Sequence, residues 1–128
     1  MKILLIFIGG GAGALTRYFI SGVIQSLGQE SFPFGTLGVN SLGCFIFGLL
    51  AAIFSGPYII ASEYRVAVLV GFLGAMTTFS SFSWETFALL RDSEYQLAFI
   101  NIILTNVLSL GGVILGYRIA EYFTGARL

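Results

Sequence analysis

The chain has no histidine and a single cysteine, Cys44. That scarcity excludes disulfides within the chain, Cys/His zinc centres and histidine-based acid–base catalysis. Charge is scarce as well. Of 128 residues, 9% are charged and the formal net charge is zero, against about 25% charged in an ordinary soluble domain. No basic excess is present to attract a nucleic acid. What remains is apolar: 57% of the residues are hydrophobic and the mean hydropathy is +0.96. A small fold leaves much of its surface exposed, so this apolar content cannot be hidden from water. The chain reads as an all-α integral membrane protein surrounded by the lipid bilayer. No cleavable signal peptide is expected, because the apolar run after Lys2 leads into Gly9–Gly13 and Arg17.

Crossing the hydrocarbon core takes about 20 mostly apolar residues. Four segments qualify, at about 3–27, 34–54, 64–90 and 95–123. They read as one multi-pass domain covering residues 1–128. Short connectors carry the punctuation: Gly28 to Pro33 with Glu30, then Gly56-Pro57 to Glu63 and Arg65, then Arg91 to Glu94. An even number of spans places both ends on one side. Lys2, Arg65, Arg118 and Arg127 fall on that side and Arg91 on the other, with Arg17 inside the first helix. Lys/Arg asymmetry sets insertion direction, and here it is weak. The direction stays open and insertion both ways is compatible with it.

Residues 71–86, Gly-Phe-Leu-Gly-Ala-Met-Thr-Thr-Phe-Ser-Ser-Phe-Ser-Trp-Glu-Thr, concentrate the polarity. Seven of these sixteen are Thr, Ser or Glu. In lipid, such a stretch survives only against protein or a wet cavity, which points to a permeation path. Gly74-x-x-Thr77-Thr78 predicts a break in the third helix, since glycine lowers helix propensity and threonine competes for backbone bonds. A break frees carbonyl oxygens, natural ligands of a hard monovalent cation. Phe79 and Phe82, three apart, share a helix face. Such rings are core or lipid-facing in most proteins, yet their positive edges suit an anion.

Asn40 lies deep in the second helix, where its amide is either interhelical glue or an N–H donor to a passing anion. Asn101, Thr105 and Ser109, spaced by four, stack on one face of the fourth helix, as glue or as a track of donors. Asn106 lies off that stripe and is assigned to packing. Arg17 either snorkels to headgroups or attracts anions at a mouth. Glu85, beside Trp84, is a helix-linking acceptor or an interfacial residue. The seventeen glycines include Gly9/Gly13 and Gly112/Gly116 pairs, which predict tight helix packing and a homo-oligomer.

Three stretches together resemble the CrcB/Fluc family of fluoride channels. They are Gly-Gly-Gly-Ala-Gly-Ala-Leu-Thr-Arg-Tyr (9–18), Gly-Thr-Leu-Gly-Val-Asn (35–40) and Gly-Phe-Leu-Gly-Ala-Met-Thr-Thr-Phe-Ser-Ser-Phe-Ser (71–83). The resemblance implies an antiparallel, dual-topology homodimer with two fluoride pores in a bacterial inner membrane. It implies that Phe79, Phe82 and Asn40 line the pore, with Asn101, Thr105 and Ser109 as a polar track. It also implies Arg17 at a vestibule and a structural Na+ at the dimer centre, held by backbone carbonyls at Gly74 and Thr77. Transport would be passive fluoride export rather than enzymatic turnover. A rival is a dual-topology, proton-coupled exporter of small molecules. It calls for a carboxylate deep in a helix, whereas Glu30, Glu63, Glu85, Asp92, Glu94 and Glu121 lie near predicted ends or loops. A non-transporting assembly subunit is a third reading.

Overall fold

The computed structural model describes residues 1–56 and 59–125. Pro57, placed above in the second connector, and Arg127, counted in the charge balance, lie outside the described residues. Among the described residues are four helical segments long and apolar enough to cross a membrane. The first is α1, Lys2–Leu27. The second is α2, Phe34–Ser55, which starts just after Pro33 and stops at Gly56. The third span, Ser62–Arg91, is composite. It comprises α3 (Ser62–Val66), a π-helical stretch (Ala67–Leu73), α4 (Gly74–Met76) and, after a break, α5 (Phe79–Arg91). The fourth, α6 (Tyr95–Thr124), ends at Gly125, whose φ of 65° forms the left-handed cap that glycine adopts without strain.

Side chains hold the connectors in place. Gln25 Nε2 donates to the carbonyls of Gln29 (3.2 Å) and Phe32 (3.0 Å), while its Oε1 accepts from the Gly35 N–H (3.0 Å). One amide thus ties the end of α1 to the start of α2. Arg65 donates to the carbonyls of Ile60 and Phe54, both at 3.1 Å, and so pins α3 to the end of α2. At the third connector Arg91 pairs with Asp92 at 2.9 Å on the exposed surface. The hydrogen bond from Arg91 holds the Asp92 carboxyl below its ordinary value. An exposed pair of this kind adds little stability.

Packing depends on small residues. Gly48 of α2 lies against the Val113 carbonyl of α6, and Gly116 of α6 lies against the Phe45 carbonyl of α2. Any β-carbon at either position would overlap backbone, so these two glycines set the approach of the pair. Gly13 of α1 presses in the same way on the Phe72 carbonyl of the π-helical stretch. A fully buried cluster of Val39, Leu73 and Met76 joins α2 to the third span, with Ile20, Ile46, Leu50, Leu69 and Phe72 around it. Elsewhere the polarity is inverted relative to a water-soluble protein. The buried residues of α6 are Ala98, Asn101, Thr105, Gly116 and Ala120, while most of its isoleucines and leucines face outward. That is the arrangement expected when lipid is the solvent and packing, not hydrophobic burial, joins helices.

Candidate functional site

The third span breaks at two extended residues, Thr77 (φ −84°, ψ 154°) and Thr78 (φ −149°, ψ 112°). Gly74, expected to start the break, is still helical (φ −63°, ψ −33°). Thr77 closes the first half: its N–H and its Oγ1 both donate to the Leu73 carbonyl, at 3.0 and 3.1 Å. Thr78 caps the second half, its Oγ1 accepting from the Ser81 N–H at 3.1 Å. Threonine at this position satisfies one of the orphan donors of a helix start.

Asn40 holds the break from α2. Its Oδ1 accepts from the Thr78 N–H at 2.7 Å and its Nδ2 donates to the Thr78 carbonyl at 3.0 Å. Both residues are buried. The two bonds rearrange the backbone around them. In an unbroken helix the Thr78 N–H would serve the Gly74 carbonyl and the Ser81 N–H would serve the Thr77 carbonyl. Here those donors go to Asn40 and to Thr78 Oγ1, so the Gly74 and Thr77 oxygens lose their helical partners. The C-terminal carbonyls of one half-helix and the N-terminal amides of the next therefore meet at a single point.

Beside the break lies a cleft of about 230 Å³. Asn40, Cys44, Thr77, Thr78, Phe79, Phe82, Thr105, Asn106 and Ser109 line it. The Phe79 and Phe82 ring centroids are 5.4 Å apart with planes at 52°. Phe82 is buried, whereas Phe79 is 77% exposed on the protomer surface. Ser109 Oγ is buried and has no partner among the described residues, which leaves a hydroxyl free to donate. The start of α5, at Thr78 and Phe79, borders this cleft, and a helix start carries the positive pole that favours an anion.

Not every residue singled out from the sequence lines this cleft. Asn101, 1% exposed, lies behind it and donates from Nδ2 to Thr86 Oγ1 at 2.9 Å. Its Oδ1 accepts from Thr105 Oγ1 at 3.3 Å, and Thr86 donates on to the Phe82 carbonyl at 2.7 Å. The polar face of α6 is thus tied to α5 by a hydrogen-bonded chain. Arg17 is on α1, outside the cleft lining. Asn106, assigned above to packing, belongs to the lining instead, because the cleft wraps past the Thr105 face of α6. A one-residue step on a helix turns the side chain by about 100°, so the spacing-by-four rule had no way to include it.

A second cleft of about 700 Å³ opens between the first and third connectors. Gln25, Glu30, Glu85, Asp92 and Glu94 contribute to its walls. Glu85 bridges toward the break: its Oε1 accepts from Thr36 Oγ1 of α2 at 2.6 Å, four residues before Asn40. The helix-linking role weighed for Glu85 from the sequence is the one its geometry displays.

Four apolar spans, one of them broken beside buried polar groups and an adjoining cleft, define a multi-pass membrane protein. The sequence model of the family described as CrcB-like protein, Camphor Resistance (CrcB) matches residues 4–117, and the chain belongs to that family. It is 47% identical over 120 residues to the fluoride-specific ion channel FluC of Nitrosococcus oceani, covering 94% of this chain and 96% of that one. It is 45% identical over 118 residues to FluC of Pyrococcus abyssi, covering 92% and 94%. To FluC of Solibacter usitatus it is 43% identical over 128 residues, covering 100% and 98%.

Proposed function

We propose that the chain forms a fluoride-selective channel, the activity for which its relatives are named, giving passive export of fluoride from a bacterial cytoplasm across the inner membrane. The observation that carries this is the cleft at the break. Its donors are neutral: the amide of Asn40, the free hydroxyl of Ser109, ring edges of Phe79 and Phe82, and the positive end of α5. A small, strongly hydrated anion needs its lost water replaced, yet must be able to leave. Neutral donors do that without a fixed cation that would trap it. An inside-negative potential drives the ion outward with about 2.3 kcal/mol per charge per 100 mV.

A second copy in the opposite orientation completes the channel. In one protomer Gly74, Phe79 and Ser80 are exposed at the break, and lipid does not accommodate irregular backbone. A partner copy would cover that surface and close the open side of the cleft. The weak Lys/Arg asymmetry permits both insertion directions. At the centre, the Gly74 and Thr77 carbonyls fit a hard monovalent cation such as Na+, because Asn40 and Thr78 divert the amides that would otherwise hold them. Bound there, the cation would neutralise the negative ends of the half-helices and stiffen the break.

The test is ion efflux from liposomes holding the purified protein. Wild type should release fluoride fast and chloride negligibly, and Phe79→Ile and Asn40→Asp should release fluoride much more slowly. Equal fluoride and chloride rates would remove the selectivity claim.

A further inference from the structure

Asn106 is an unusual residue for its place. It lies near the middle of α6, close to the bilayer midplane for a spanning helix of this length. It is exposed on the protomer, and so are its neighbours Ile102, Ile103, Leu104, Val107 and Leu108. The hydrocarbons suit lipid. The amide does not, because an amide without full partners in hydrocarbon is costly. Its own helix satisfies it in part: Nδ2 donates to the Ile102 carbonyl at 2.7 Å. A side-chain amide carries two N–H donors and a carbonyl acceptor. The second N–H and Oδ1 have no partner among the described residues. The Ile102 bond anchors the side chain, and a spare N–H remains on a residue lining the cleft that also holds Asn40 and Ser109.

We propose that Asn106 is a selectivity-determining residue of the same passage, supplying an N–H donor to the anion from the side of α6 that the second copy closes. The inference rests on the channel reading above. It adds a donor that is not part of the Asn101, Thr105 and Ser109 stripe. With Asn40 on α2 lining the same cleft, the ion meets amide donors from two helices rather than one. An anion whose hydration is weaker gains less from this second donor, so the amide favours fluoride over chloride.

Wild type, Asn106→Leu, Asn106→Asp and Asn106→Gln are reconstituted in liposomes for the test. Fluoride and chloride efflux are followed with ion-selective electrodes, and dimer content is measured by cross-linking in the same membranes. All three variants should stay dimeric. Asn106→Leu should lower fluoride efflux about tenfold, the effect of losing one hydrogen bond to a charged species. Asn106→Asp should lower it further, since a carboxylate offers no N–H and carries the anion's own sign. Asn106→Gln, which retains the amide, should recover part of the rate. Fluoride efflux of Asn106→Leu within about twofold of wild type would overturn the inference while leaving the channel intact. Loss of flux that tracks loss of dimer would also overturn it, making Asn106 a contact between copies. A silent wild type would overturn the channel reading and this inference with it.

Discussion

Replacing Asn40 by alanine removes both hydrogen bonds that hold the break open. The Thr78 N–H (2.7 Å to Oδ1) and carbonyl (3.0 Å from Nδ2) lose their partner in a buried place. A buried polar group left unpaired costs about 1–3 kcal/mol, so two suggest about 2–6 kcal/mol. Two effects reduce that. Interhelical bonds in membranes average only about 0.6 kcal/mol, because separated helices find other partners. The freed Thr78 N–H is also the one an unbroken helix would give to Gly74. A net loss of about 1–3 kcal/mol follows. It is measured by denaturant unfolding in detergent micelles, with amide hydrogen exchange at Thr78 as a local readout. Exchange at that amide should accelerate in step with the stability loss. An Asn40→Ala protein within about 0.5 kcal/mol of wild type, the range of a neutral surface change, would refute the role given to Asn40.

Three further outcomes are expected. Gly116→Ala drives a β-carbon onto the Phe45 carbonyl and should cost about 1–3 kcal/mol in the same unfolding assay. Gly111→Ala, which meets nothing within 4 Å, should be neutral or slightly stabilising, and equal losses at both positions would contradict the α2–α6 packing. Cys44 is the only thiol in the chain and lines the cleft, so silver ion should reduce fluoride efflux from liposomes and a thiol chelator should restore it. Unchanged efflux with demonstrably silver-bound Cys44 would place the ion's path elsewhere.

Much of the architecture was legible because membrane spans are written in hydropathy. The segments expected at about 3–27, 34–54, 64–90 and 95–123 compare with Lys2–Leu27, Phe34–Ser55, Ser62–Arg91 and Tyr95–Thr124. The break was legible too, because Gly74, Thr77 and Thr78 oppose a helix by known mechanisms. Its exact place was not, since the tertiary contact between Asn40 and Thr78 holds the break at Thr77 and Thr78 while Gly74 stays helical. The π-helical stretch Ala67–Leu73 was invisible. Nothing in Ala-Val-Leu-Val-Gly-Phe-Leu distinguishes it from an α-helix, and its close contact with Gly13 of α1 is a tertiary feature that the local sequence does not display. Among site residues, Asn40, Phe79, Phe82, Thr105 and Ser109 converge on one cleft. Thr78 as the partner of Asn40 and Asn106 as part of the lining were missed, because a single helix's periodicity says nothing of how a neighbour's curvature wraps around it.

The central claim is that a span broken in mid-membrane, bare on one copy, is covered by a second copy running the other way. Labelling the amino terminus with a membrane-impermeant reagent in sealed vesicles, before and after permeabilisation, tests it most directly. About half of the termini should react from each side, as equal dual insertion requires. Termini that all react from one side would contradict the account.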